Sequence, residues 1–496
     1  MLDTQVNSIG AISAQGGVYI NETDAVDLVN VQSGATPSIY IFSGGDMNVG
    51  SIYDPTDVWL TSLGKIDGAI LPNSLVETQD MHLWAKDMIN QIQTDVSNIW
   101  AYSDTSNIYL YDWDGYGSHS TKTSMRLKDV DAQGTVYVFS GSLNPGNAVD
   151  VYADNVVSRG NGFIWLQNNL TNKGNIYIDN VATGPTSGII RIKGYNSIID
   201  NNGSANNITG FRLEADADKG IGSNNALETI ISELYADNST SGNIEIDNTG
   251  DLFVEHAVNN GGDVKITTHS DINVGYIEGT DVYLTALDGA INDAYSDASI
   301  KIKGVTLNMQ AKNGIGGSDT LETQVSTLNA LNTATNDIDI NNFGDLLAQS
   351  VINNGGNVYI TTHSDLTLGY IEAIGNFAGL TALNGSILNA SGSSLNILAN
   401  TAELIALSNI GLASSPINTN LDTLAGFSSS TGDIYINEVD SINLGWIDAI
   451  TGIGHSLAAN DGIIHITSAE DMIVNSVISP RGGVFLETTG SSIYAG

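Results

Sequence analysis

The amino-acid sequence predicts an all-β fold: a parallel β-helix, or β-solenoid, of coils about 19 residues long. Three observations lead to it. First, a long segment repeats. Gly262-Asp263-Val264-Lys265-Ile266-Thr267-Thr268-His269-Ser270-Asp271, continued by Gly275-Tyr276-Ile277-Glu278, returns 94 residues later as Gly356-Asn357-Val358-Tyr359-Ile360-Thr361-Thr362-His363-Ser364-Asp365 and Gly369-Tyr370-Ile371-Glu372. Second, apolar residues alternate with polar ones over short runs, which is the period of a strand and too brief for a helix. Third, Gly, Asn, Asp and Ser fill the breaks between runs, where the chain must turn.

Cutting the chain after Ser241 aligns the coils. Gly242 to Asn260, Gly261 to Gly279 and Thr280 to Ala298 are each 19 residues, and two further coils, from Ser299 and Thr320, complete a five-coil super-repeat of 94. Each coil opens on an aliphatic pair, Ile244 and Ile246, Val264 and Ile266, Val282 and Leu284. A second short run follows, Leu252 and Val254 or Ile272 and Val274. Stacked in parallel and in register, these residues form inward ladders while neighbouring coils satisfy each other's backbone groups. The same strand start recurs at Val18 and Ile20, Ile39 and Ile41, Ile108 and Leu110, Val136 and Val138, Ile176 and Ile178, Ile434 and Ile436, and Ile464 and Ile466. The array is therefore expected to run through residues 1–496 as one continuous solenoid of about 26 coils. The section 75–220 departs from the clean repeat and is richer in aromatics.

Composition narrows the function classes. Acidic residues number 55 against 16 basic, a net charge of −39. Phosphate contacts need clustered Lys and Arg, so no nucleic-acid partner is expected. No apolar run approaches a membrane span, and the charge would be repelled by an anionic bilayer, so no membrane insertion is expected. The like charge is read as keeping strand-rich surfaces apart in solution. With no cysteine there is no disulfide and no thiolate metal site. Leu2-Asp3-Thr4-Gln5-Val6 matches Leu321-Glu322-Thr323-Gln324-Val325 in mid-array, and the last residues read as a coil without an atypical polar cap. Both suggest an excerpt of a longer chain whose ends could associate head to tail into filaments.

The 19-residue coil, the Gly-x-Ile/Val-x-Ile strand starts, the aliphatic ladders and the Cys-free acidic composition together resemble the repeat regions of filamentous-haemagglutinin-like bacterial exoproteins. The resemblance covers most of the chain. It implies a right-handed parallel β-helix at the cell surface or released from it, acting as a structural or adhesive element in adhesion, aggregation or biofilm formation. It carries no functional residue over, because no family motif marks one here.

Candidate chemistry is sparse. His269 with Asp271 and His363 with Asp365 have the spacing of a base and its orienting acid, but a repeat copies turn residues for structural reasons and a catalytic site is normally singular. The acid pairs Asp112 and Asp114, Asp216 and Asp218, and Glu470 and Asp471 could serve glycoside hydrolysis or calcium, yet no calcium-loop motif accompanies them. No nucleotide-binding motif is found. The chain is therefore not expected to be an enzyme, and no catalytic residue, metal ligand or cofactor is assigned. The densest aromatic stretch holds Tyr109, Tyr111, Trp113 and Tyr116, within the section that also contains Trp84, Trp100 and Trp165. Rings beside acids and amides suit sugars, so these four are the candidate ligand-binding residues, with glycans or cell-surface receptors as partners. A glycan-binding surface module is the first alternative to the structural reading, and a polysaccharide-active β-helix enzyme the second.

Overall fold

The computed structural model describes residues 1–34, 38–114, 124–142, 148–169, 174–317, 319–390, 394–445 and 456–496; the side chains of residues 113, 114 and 142 fall outside that description. About 60% of the chain is strand, and no helix occurs among the described residues. The strands pair in parallel with those one coil away, which makes the fold a parallel β-solenoid with a coil spacing of about 21 residues. Two compact units divide the chain: residues 1–249 with 259–262, and residues 250–258 with 263–496.

In the first unit one inward ladder runs Val26, Met47, Ile66, Ile89, Ile108, Val136, Ile164, Ile190, Leu213, Leu234, each residue paired in register with the next. All ten are 2% exposed or less, so the core is a continuous aliphatic column. In the second unit a corresponding ladder runs Leu252, Ile272, Ile291, Ile315, Ile338, Val358 and on to Leu444. Burying each Ile stabilises the fold by roughly 1.5–3 kcal/mol. Because side chains alternate across a strand, the intervening residues must face outward.

The expected 19-residue coil is the short end of a distribution. In-register partners are 18 residues apart where Val282 stacks on Val264, and 28 apart where Val136 stacks on Ile108 and Ile164 on Val136. In the 25-residue step from Val282 to Leu307, the extra residues lie between the strands Ile291–Asp293 and Ile302–Lys303. The sharpest corners require glycine. Gly222, Gly316 and Gly411 follow ladder isoleucines with φ of +62°, +70° and +69°. A Cβ there would sit 2.4 Å, 2.2 Å and 2.3 Å from the carbonyl oxygens of Glu245, Asp339 and Tyr435 in the coil above.

Polar side chains inside the coils repeat as faithfully as the aliphatic ones. Thr229 donates to Asn248 at 2.9 Å and Thr323 to Asn342 at 3.0 Å, and each Asn oxygen also accepts a backbone N–H, from Ile231 and Val325. The same ledge carries a carboxylate elsewhere: Thr4 donates to Glu22 at 2.7 Å, Thr94 to Asp112 at 3.1 Å and Thr419 to Glu438 at 2.7 Å. Asn238 donates to Asn259, and Asn332 to Asn353, at 2.9 Å in both copies. A buried polar group without a partner costs about 1–3 kcal/mol, so these ledges bind one coil to the next with no polar atom wasted.

Candidate functional site

The outward face of the first unit carries a column of stacked aromatic rings. Tyr19, Tyr40, Trp59, His82 and Trp100 occupy successive positions of one ladder. Each lies between two inward aliphatic residues, as in Val18-Tyr19-Ile20 and Val58-Trp59-Leu60, so strand alternation points it outward. Centroids are 5.5, 5.6, 3.6 and 4.3 Å apart in order, with planes within 12° of parallel. His82 stacks between two tryptophans, and its Nε2 lies 3.6 Å from Asp57 Oδ1. Burial holds its imidazole below the ordinary value, against the opposing pull of Asp57 and Asp80.

A neighbouring column runs Tyr109, Tyr137, Trp165, Arg191, Glu214, Tyr235. Of the four residues singled out from the sequence, Tyr109 and Tyr111 lie half-buried on this face of the strand Ile108–Asp114. Both rings pack against Tyr137 of the next coil, at 6.4 and 5.4 Å with tilted planes. Burial raises the Tyr111 and Tyr137 hydroxyls above the usual phenol value. Trp113 belongs to the same strand, paired with Gly141, and Tyr116 lies outside the described residues. Further up, the Arg191 guanidinium covers Trp165 at 5.3 Å and Phe163 at 5.4 Å, and pairs with Glu214. In the first column the rings stack face to face, coil on coil, whereas in the second the ring contacts are tilted or edge-on. The strict column of Tyr19 to Trp100 was missed from the sequence; the signal was an aromatic placed between the two aliphatic residues of successive strand starts.

The other candidates resolve into coil-to-coil attachment. Asp271 Oδ1 accepts the backbone N–H of Ala290 at 2.7 Å, and its repeat partner Asp365 accepts that of Ser386 at 2.7 Å. His363 stacks on Phe343 at 4.1 Å. Asp112 is fully buried between the Thr94 and Ser140 hydroxyls. Asp216 meets Lys193 at 2.5 Å, whereas Asp218 accepts from Ser239. Glu470 accepts from Ser441 and Asp471 from the backbone of Ser492. A general rule emerges: an Asp at or just before the start of a strand accepts a backbone N–H from the coil above. Asp150, Asp337 and Asp433 do so at 2.7 Å each. Part of the acidity is thus structural. Among the described residues no group of three or more His, Asp or Glu side chains is placed to hold a metal ion. One open depression of about 420 Å³ lies beside Tyr283, Met309, Leu331 and Ile352.

These features define a parallel β-solenoid whose polar interior fastens coil to coil. Compared with family models, curated proteins and solved structures, the chain matches none. The likeness to filamentous-haemagglutinin-type repeats accordingly rests on the coil pattern alone.

Proposed function

We propose that the chain is a structural and adhesive segment of a large bacterial surface or secreted protein, acting extracellularly as a fibre or spacer in adhesion, aggregation or biofilm formation. The supporting observation is where the polar chemistry lies. The ledges Thr229–Asn248 and Thr323–Asn342 and the pairs Asn238–Asn259 and Asn332–Asn353 recur at the super-repeat interval with matching geometry. A feature copied with the repeat serves the repeat, so these groups are accounted for by stacking. Displayed on non-adherent bacteria, the chain should promote autoaggregation or attachment to surfaces. Display at equal density with no gain in either, together with reducing-end release from a polysaccharide, would favour an enzyme instead.

Head-to-tail association belongs to the same reading. Light scattering that rises with salt and protein concentration supports it, because salt screens the net charge of −39. A second reading, a glycan-binding surface, is favoured by Tyr109 and Tyr111 on the outward face. Retention on immobilised glycans that is lost in Tyr111→Ala, with the spectrum of the fold unchanged, would support it.

A further inference from the structure

The corner between the strands Ile291–Asp293 and Ile302–Lys303 departs from its repeat partners in a way that stacking does not explain. In two related corners an asparagine closes the loop from inside. Asn207 donates to Asp200 Oδ1 at 2.7 Å, and Asn396 to Asn389 Oδ1 at 2.9 Å. Each accepts a backbone N–H of the next coil at 2.9 Å, from Glu228 and Asn418. The third corner has Lys301 there, with no surface exposed. Its Nζ donates to Asp297 Oδ1 at 2.6 Å, Ser299 Oγ at 2.9 Å and the carbonyls of Ser299 and Asp297 at 3.0 and 3.2 Å. Asp293, whose side chain is also fully buried, brings Oδ2 to 3.3 Å from Nζ. That oxygen is off the line of a hydrogen bond and has no hydrogen-bond partner among the described residues, while Oδ1 accepts the N–H of Tyr295 at 2.8 Å.

A third buried acid completes the corner. Glu322 of the next coil is 6% exposed, accepts the Lys301 backbone N–H on its carbonyl at 2.9 Å, and has an Oε2 without a hydrogen-bond partner among the described residues. Burial first, then the charge of Asp293, pushes its carboxyl up to about 7, against the pull of Lys301.

We propose that Lys301 and Asp293 become joined by an intramolecular amide bond, formed by the chain itself. The ion pair is the resting state: burial disfavours the ammonium, but Asp297 and Asp293 hold it above the ordinary lysine value. One proton passes from Nζ to the Asp293 carboxylate, giving a neutral amine and a carboxylic acid. Nζ then attacks Cγ. The nitrogen gives up a proton to the departing hydroxyl, which leaves as water. The balance is an ammonium and a carboxylate converted to a secondary amide and one water, with no change of oxidation state. Two forces favour it. Fixed proximity is worth effective molarities on the order of 10⁵–10⁸ M in well-aligned cases. The amide also removes two charges from an interior where each costs several kcal/mol to keep. The product would fasten the loop of residues 294–300 covalently to its own corner. The first proton transfer makes the reaction slow, so the bond should accumulate after folding. The inference is independent of the adhesive reading.

Intact-mass measurement of the full chain, followed by trypsin mapping of the denatured protein, tests it. The expected result is a chain lighter by one water, with Lys301 refractory to trypsin, so that residues 266–303 appear as one peptide also lighter by one water. Lys301→Arg should restore the full mass, and so should Asp293→Ala. A wild-type chain of full mass after prolonged incubation, or a water loss with Lys301 still cut, would overturn the proposal.

Discussion

Replacing Glu438 by Gln should abolish much of the pH dependence of its coil. Glu438 is 4% exposed; Oε2 accepts from Thr419 at 2.7 Å and Oε1 from the backbone N–H of Val439 at 2.9 Å. Burial pushes the carboxyl up to about 8, against those hydrogen bonds and with a further push from Asp440. The related Glu22 goes the other way. Burial would raise it too, but the Thr4 hydroxyl and the N–H groups of Val6, Thr23 and Asp24 outweigh that and hold it below the ordinary value. For Glu438 the folded value lies above the unfolded one of 4.5, so the folded coil binds the proton more tightly. Its contribution is full below the unfolded value and is lost as pH rises through the folded one. At about 1.36 kcal/mol per pKa unit, the loss between pH 4.5 and 8 is at most about 5 kcal/mol, and relaxation of the site will reduce it. Glutamine keeps an acceptor for Thr419, as Asn342 does for Thr323 at 3.0 Å, and cannot ionise. Because a solenoid can open locally, the assay is hydrogen exchange of the strand Ile434–Glu438 between pH 5 and 9, corrected for intrinsic rates. Wild type should lose protection as pH rises, and Glu438→Gln should stay nearly flat. Equal slopes in the two proteins would refute the assignment.

Three further outcomes follow from the same contacts. Ile360→Asp places a charge at a fully buried ladder position and should cost several kcal/mol, read as a large fall in the urea midpoint. Gly316→Ala forces a Cβ onto a residue with φ of +70° and within 2.2 Å of the Asp339 carbonyl; it should lower the melting temperature, whereas Gly317→Ala, in open space, should not. Asp345 is held below its ordinary value by the Ser364 hydroxyl and the Asp365 N–H, so its contribution is present above the unfolded value of 3.8 and is lost as pH falls through the folded one. Exchange at the Asp365 amide should accelerate in acid, and Asp345→Asn should remove that acid step.

The strand starts were readable because alternation reports directly on which side chains face inward. Ile244 and Ile246, Val264 and Ile266, and Val282 and Leu284 are all 1% exposed or less. Coil length was less readable. The cleanest copies lie where corners are short, while insertions such as residues 294–300 lengthen a coil without disturbing its ladders. The aromatic column was not read, because contact between Tyr19, Tyr40 and Trp59 depends on register between coils rather than on neighbours in sequence. The acids were read as a solubility device. Their role at corners depends on which backbone N–H of the coil above faces each carboxylate, as Asp337 faces that of Asn357 at 2.7 Å. Lys301 carries no motif; it stands out only once its repeat partners Asn207 and Asn396 are superposed on the same corner.

The central claim is parallel stacking in a defined register, and the Cys-free sequence allows it to be measured by paired cysteines. Thr285 and Gln310 are in-register partners on adjacent strands of one outward face, while Asn308 is the partner of Tyr283, two residues away. Adjacent in-register positions lie within disulfide reach and diagonal ones are too far apart. The double variant Thr285→Cys with Gln310→Cys should form an intramolecular disulfide on mild oxidation, and Thr285→Cys with Asn308→Cys should not. Efficient cross-linking of the second pair, or of neither, would contradict the register and with it the solenoid described.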